Sequence, residues 1–198
     1  MLIVEISAKE IARNKEGWYD PSVNKAINNK AVNFITKPGT ELSKKDIDNI
    51  HKFGLLDQKP EGAIAKSLDK LVALSTPLTR NLVSYRGLVL AKSTVAKLVQ
   101  ELQQKKTVIF KKSNPSAWSN SQSVAWDFAK PGGYRNKKAT TDRVGIILEV
   151  LIPAGTRIGG LNLSIGTGRE HILPSNTQVE LYRVRKFHTG LVFTGKII

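Results

Sequence analysis

With 198 residues, 40% of them hydrophobic and 24% charged, the chain has the size and balance of one soluble domain, and no apolar run approaches the ~20 residues that span a bilayer. It has no cysteine, which excludes disulfides, thiolate chemistry and cysteine-held zinc, and its three histidines are far apart, so no metal site is expected. Lys and Arg outnumber Asp and Glu by 31 to 16, and a field of that sign attracts polyanions.

The charge is concentrated. Residues 1–79 hold twelve Lys/Arg against ten Asp/Glu, residues 80–140 twelve against two, and residues 141–198 seven against four. The excess therefore sits in a middle block, where it can serve a nucleic acid, an acidic partner or simple solvation. The N-terminus, MLIVEISAKE, lacks the basic start and long apolar core of a secretory leader, so a cytoplasmic location is expected, in its own cell or a target cell.

Helices come first in chain order. DPSVNKAINNKAVNFIT offers Asp20 as N-cap, Pro21 at the first helical position, and Val23, Ile27, Ala31, Phe34 and Ile35 on one face. SKKDIDNIHKFG pairs Ser43 with Asp46 as a capping box and predicts a stop at Gly54. PEGAIAKSLDKLVALST places Ile64, Leu68, Leu71 and Val72 on a stripe. From Leu82 the pattern turns to strands. LVSYRGLVL is one, followed by a helix capped at Ser93. TVIF, AWSNS, RVGIILEVLI, TRIGG, EHIL, TQVELYRVRKF and LVFTGKII follow, with Val144, Ile146, Leu148, Val150 and Ile152 alternating onto one face. Residues 130–142 read as a basic loop and residues 159–169 as a glycine-rich one. Helices then mostly antiparallel strands make an α+β protein, and no G-x-G-x-x-G follows a strand.

Three segments carry candidate chemistry. SYRGLVL sets an arginine and a strand-weakening glycine, Arg86 and Gly87, in the middle of a strand. AWSNSQSVAWDFA ends a strand in Ser119-Asn120-Ser121 and enters a helix with Ala125 and Phe128. GREHILPSNTQVEL opens a strand at Glu170. Alone, each has an ordinary reading: a solvated arginine, an N-cap, a surface carboxylate. Trp118, Trp126 and Tyr134 beside the basic block also fit a non-catalytic nucleic-acid-binding module that stacks bases, although both tryptophans sit in apolar contexts where packing is the commoner use.

In order and spacing, the three segments resemble the mono-ADP-ribosyltransferases of the arginine–serine–glutamate class, which include bacterial exoenzyme toxins and phage enzymes. The resemblance covers Leu82 to about Leu181. It implies a single domain, with a helical subregion (1–80) packed on a β-rich catalytic core (81–198) of two mainly antiparallel sheets around a central NAD cleft. NAD would be the substrate. Arg86 would hold a phosphate of its diphosphate, and Gly87 would let the backbone reach the nicotinamide carboxamide. Ser119 would support the site by hydrogen bonding. Ser121 would line it or simply cap the next helix, and Phe128 is part of the same motif. Tyr134 and Arg135 would lie on the phosphate–nicotinamide loop. Glu170 would stabilise the oxocarbenium ion formed as nicotinamide leaves.

One departure bears on the acceptor. Gly168, followed by Arg169, stands where many members keep a Glu or Gln that orients it. An Arg169 there disfavours an arginine acceptor and suits an anionic one. With Lys111, Lys112, Lys137 and Lys138 as phosphate contacts, this tips the expectation slightly toward nucleic acid or a protein bound to it. A protein-directed toxin and an NAD glycohydrolase are the alternatives. The expected partners are thus NAD, a nucleic-acid or host-protein acceptor, and an antitoxin or immunity protein if the chain is a toxin. No membrane partner and no metal are expected.

Overall fold

The computed structural model of the chain describes residues 3–6, 42–56, 58–75, 77–130, 141–163 and 169–198. The predicted helix after Asp20 lies outside these residues. Among them are four helices and nine strands, and they divide into two compact units.

The first unit comprises the described residues of Met1–Leu78, Ser113–Ala117 and Arg157–Asn176. Helices α1 (Lys44–Leu56) and α2 (Gly62–Leu74) pack together around Leu42, Ile47, Ile50, Leu68, Leu71 and Val72, with Ile172 completing the core. The capping box forms as expected. Ser43 Oγ accepts from the Asp46 N–H at 3.1 Å, and the Asp46 carboxylate accepts from the Ser43 N–H at 3.0 Å. Gly54 does not stop α1, which continues to Leu56. Phe53 beside it packs on the core, and that burial outweighs the ~1 kcal/mol that an internal glycine costs. Strand β1 (Ile3–Ile6), absent from the predicted elements, pairs parallel with β6 (Gly159–Leu163), and β6 pairs antiparallel with β7 (Arg169–Leu173). Residues 159–163 are therefore strand, as the TRIGG segment predicted for Gly159 and Gly160, where the glycine-rich reading made them loop.

The second unit comprises the described residues of Thr79–Lys112, Trp118–Thr156 and Thr177–Ile198. Strand β4 (Ser116–Ser119) is shared, with Trp118 and Ser119 on this side. Its strands run in the order β4, β2 (Leu82–Ala91), β5 (Arg143–Ile152), β9 (Gly190–Ile197), β8 (Thr177–Phe187), β3 (Val108–Lys112). All neighbouring pairs are antiparallel except β5 and β9. Helix α3 (Lys92–Lys105) packs on β2, β3, β5 and β8. Its N-cap comes two residues earlier than expected, at Ala91 and with no side-chain cap, so Ser93 lies inside the helix. Helix α4 (Gln122–Ala129) packs on β2 and β5.

The α4 contact explains one oddity of β2. A Cβ on Gly87 would overlap the Ala125 carbonyl oxygen and stand 2.8 Å from the Ala129 nitrogen. Only glycine lets the helix backbone lie this close to the strand.

This packing can be tested at two residues. Burial raises the pKa of Asp46, but hydrogen bonds from Ser43, Lys70 and Ser67 outweigh it and bring the carboxyl down to about 2. A depressed carboxylate stabilises the fold above its ordinary value of 3.8 and loses that contribution as pH falls toward 2. Asp46→Asn should therefore cost about 2 kcal/mol in urea unfolding at pH 7, and the cost should vanish near pH 2. Gly87→Ala should cost ~3 kcal/mol by overpacking, and unchanged thermal stability would disprove the close approach.

Candidate active site

Strand alternation gives β2 two different faces. Val83, Tyr85 and Gly87 lie on the face that α4 partly covers. Ser84, Arg86 and Leu88 lie on the other. Ser84 is fully buried, and its hydroxyl donates to the Ser119 carbonyl at 3.1 Å. Arg86 is half-buried opposite Leu148 of β5, a fully buried residue. Its guanidinium carbon stands 6.0 Å from the centroid of the buried Trp118 ring. A guanidinium against an aromatic face is oriented and partly desolvated, which strengthens its pull on an anion.

Ser119 ends β4 as the cross-strand partner of Tyr85, so its backbone neighbours the strand of this arginine while its side chain shares the Tyr85 face. Ser119 is 5% exposed, and its Oγ accepts from the Ser121 N–H at 3.1 Å. With that acceptor role filled, its O–H is available to donate to a carboxylate or a ribose oxygen. Ser121 is the N-cap of α4, accepting from the Val124 N–H at 3.5 Å, and its Oγ lies 2.8 Å from that of Ser123. Phe128 is a half-buried residue of α4.

The two lysines after Phe110 separate. β3 alternates so that Ile109 and Lys111 are exposed, while Val108, Phe110 and Lys112 turn inward. Burial, and then the positive charge of Arg86, lower the Lys112 pKa.

The other candidates are placed only in part. Glu170 is the second residue of β7, opposite Leu161 of β6, in the first unit, and Arg169 opens that strand. Gly168, Tyr134, Arg135, Lys137 and Lys138 lie outside the described residues.

One constellation went unnoticed in the sequence. On the Tyr85 face, Glu149 of β5 is bound by Arg185 Nη2 of β8 at 3.2 Å and by Thr194 Oγ1 of β9 at 3.3 Å. The Tyr85 hydroxyl also donates to it, and burial, then the Glu149 charge and this hydrogen bond, raise the phenol pKa. Beside them lies an open cleft of about 420 Å³ that Val83, Leu151, Tyr182 and Arg183 help to line. Three donors satisfy Glu149, so it reads as a bridge between strands rather than a free acid. A lone glutamate inside GIILEVLI was the available signal.

No family model matches the chain, and no curated protein matches it in sequence. Solved structures do. An ADP-ribosyltransferase from Clostridium botulinum aligns with a TM-score of 0.55 at 12% identity, over 91% of this chain and 96% of that one. The ADP-ribosyltransferase Vis in complex with agmatine aligns with a TM-score of 0.56 at 9% identity, over 93% and 88%. The Vis toxin from Vibrio splendidus aligns at 0.53 and 13%, over 98% and 87%. At these identities the likeness is one of architecture. The α+β class with mainly antiparallel strands is as expected, and the chain has the fold of the ADP-ribosyltransferase toxins.

Proposed function

We propose that the chain is a mono-ADP-ribosyltransferase that cleaves NAD and transfers ADP-ribose to a macromolecular acceptor. The observation that carries this reading is the half-buried Arg86, its guanidinium carbon 6.0 Å from the centroid of the buried Trp118 ring, in a fold shared with ADP-ribosyltransferases. A forked, permanent cation there suits a diphosphate. Gly87 is needed for α4 packing, which fully accounts for its missing side chain.

In the reaction, the bond between nicotinamide nitrogen and ribose C1 breaks, and its electron pair leaves with nicotinamide. Positive charge then develops on C1 and the ring oxygen. The Glu170 carboxylate, bonded to the ribose 2′-hydroxyl, is assigned to stabilise that charge, and the Ser119 O–H to orient the site. An acceptor nucleophile then attacks C1 and gives up its proton. The rival reading, a base-stacking module, loses two of its three aromatic surfaces. Trp118 is buried, and Trp126 packs edge-on against Phe187 at 5.5 Å.

For the acceptor we favour nucleic acid or a protein bound to it. NAD requires only one or two cations, whereas residues 80–140 carry twelve against two acids. Arg169 before Glu170, and Gly168 in place of an acceptor-orienting Glu or Gln, point the same way. An antitoxin or immunity protein would be a further partner if the chain acts as a toxin.

Glu170→Gln should cut nicotinamide release by roughly 100-fold or more while leaving the melting temperature within a degree or two. Near-normal release would remove Glu170 from the mechanism. Transfer of labelled ADP-ribose to RNA should fall steeply with salt, and Lys137→Ala with Lys138→Ala should flatten the slope by roughly one unit per lysine that touches a phosphate. Label that stays on protein after nuclease treatment would replace this with a protein-directed enzyme.

A further inference from the structure

We propose that the open part of the sheet face around Tyr182 is a docking surface for an acidic protein, which sets apolar side chains on its centre and carboxylates on its rim. The surface lies on the side of the second unit's sheet opposite Arg86, and the proposal stands independently of the NAD reading.

Strand register builds the surface. Val83 of β2 pairs with Leu151 of β5, Leu151 with Lys196 of β9, Lys196 with Glu180 of β8, and Glu180 with Ile109 of β3. Paired residues point to one face, so this row crosses five strands and spans about 19 Å at the usual strand spacing. Beside it runs a second row, Tyr85, Glu149, Thr194 and Arg183. The register of β8 shifts between Leu181 and Arg183, which inserts Tyr182 as an extra residue. Alternation from Glu180 puts Tyr182 on this face, and the shift keeps Arg183 there too. The cleft agrees with both facings, since Tyr182 and Arg183 line it together with Val83, Leu151 and Glu149.

The exposed apolar side chains gather here. Three of the four large hydrophobic residues exposed among the described ones stand on this face: Val83 at 44%, Ile109 at 49% and Tyr182 at 47%. A strand face made for water alone carries polar residues at such places. Apolar side chains grouped with a tyrosine and an arginine have the composition of an interface centre. The cleft of about 420 Å³ beside Tyr182 gives an apolar side chain of the partner a place to enter.

Charge decides the occupant. Both carboxylates of these rows are taken, Glu149 by Arg185 at 3.2 Å and Glu180 by Lys196 at 2.9 Å. Arg183, and Lys111 on the exposed side of β3 with Ile109, make no ion pair among the described residues. Unpaired cations thus flank an apolar centre, and carboxylates on a protein complement them. A second copy of the chain would add two more unpaired cations. A nucleic acid would leave Val83 and Ile109 unused, because aliphatic side chains offer a base no stacking platform. A bilayer would strip water from both ion pairs and supply no polar partners in its place.

The test is calorimetric titration of the full chain with a random copolymer of glutamate and tyrosine, which carries the expected chemistry. Polyglutamate of the same length, single-stranded RNA and phosphatidylserine vesicles are titrated for comparison. The copolymer should bind more tightly than polyglutamate. Tyr182→Thr, and Val83→Thr with Ile109→Thr, should weaken the copolymer roughly 10-fold and leave RNA unchanged. Threonine keeps the strand preference, so melting temperatures should stay within a degree or two. Arg183→Gln with Lys111→Gln, which removes charge and no core packing, should weaken the copolymer as well. Copolymer binding no tighter than polyglutamate, or unmoved by either set of substitutions, would overturn the proposal. So would apolar substitutions that instead release RNA or vesicles, or that dissociate a dimer of the parent chain. A parent that binds the copolymer through Tyr182 but releases no nicotinamide would keep this surface and reject the transferase. Nicotinamide release without Tyr182-dependent binding would do the reverse.

Discussion

The candidate site depends on the two faces of strand β2 having been given different work. Gly87 lets α4 lie against one face so closely that no side chain fits between. The N-terminus of α4, with its Ser121 cap, follows directly on the end of β4. The Ser84 hydroxyl and the Ser121 amide both hold Ser119 there. The opposite face is then left for Arg86. A larger residue at position 87 would push on the helix, and through it on the serines, before it touched any ligand.

Charge is distributed on the same two-faced plan. On the α4 side, Arg185 is neutralised by Glu149, and Lys196 of β9 by Glu180 of β8 at 2.9 Å. These pairs are partly exposed, and their separate contributions to stability are small. Their consequence is to leave that side of the sheet nearly balanced. On the Arg86 side, burial and then the Arg86 charge lower the Lys112 pKa.

What was legible in the sequence was what is local or periodic. The Ser43–Asp46 box, the Ser121 cap and the β5 alternation were read correctly because each depends on neighbours a few positions away. Gly54 and Ser93 misled for the opposite reason: a stop or cap preference of about a kilocalorie yields to packing. Gly159 was read both as the end of the TRIGG strand and as the start of a glycine-rich loop. In the fold it is a strand residue whose added Cβ would stand 3.1 Å from Leu71 and 3.3 Å from Ile172. Smallness served a helix–strand contact there, not a turn. Ile147 is buried along with Ile146 and Leu148 because both faces of β5 are covered, which alternation alone does not reveal. The facing of Lys112 depends on pairing between β3 and β8, strands about seventy residues apart in the chain, so no local pattern exposes it.

The central claim is that the Arg86 face of β2 receives the diphosphate of NAD. The most direct measurement is the NMR signal of the arginine Nε–H groups during titration with a non-cleavable carba analogue of NAD. The account predicts a large shift for Arg86 and little change for Arg183 and Arg185, which line the cleft on the opposite side of the sheet. A shift at Arg183 or Arg185 with Arg86 unmoved would contradict it and move the nucleotide to that cleft.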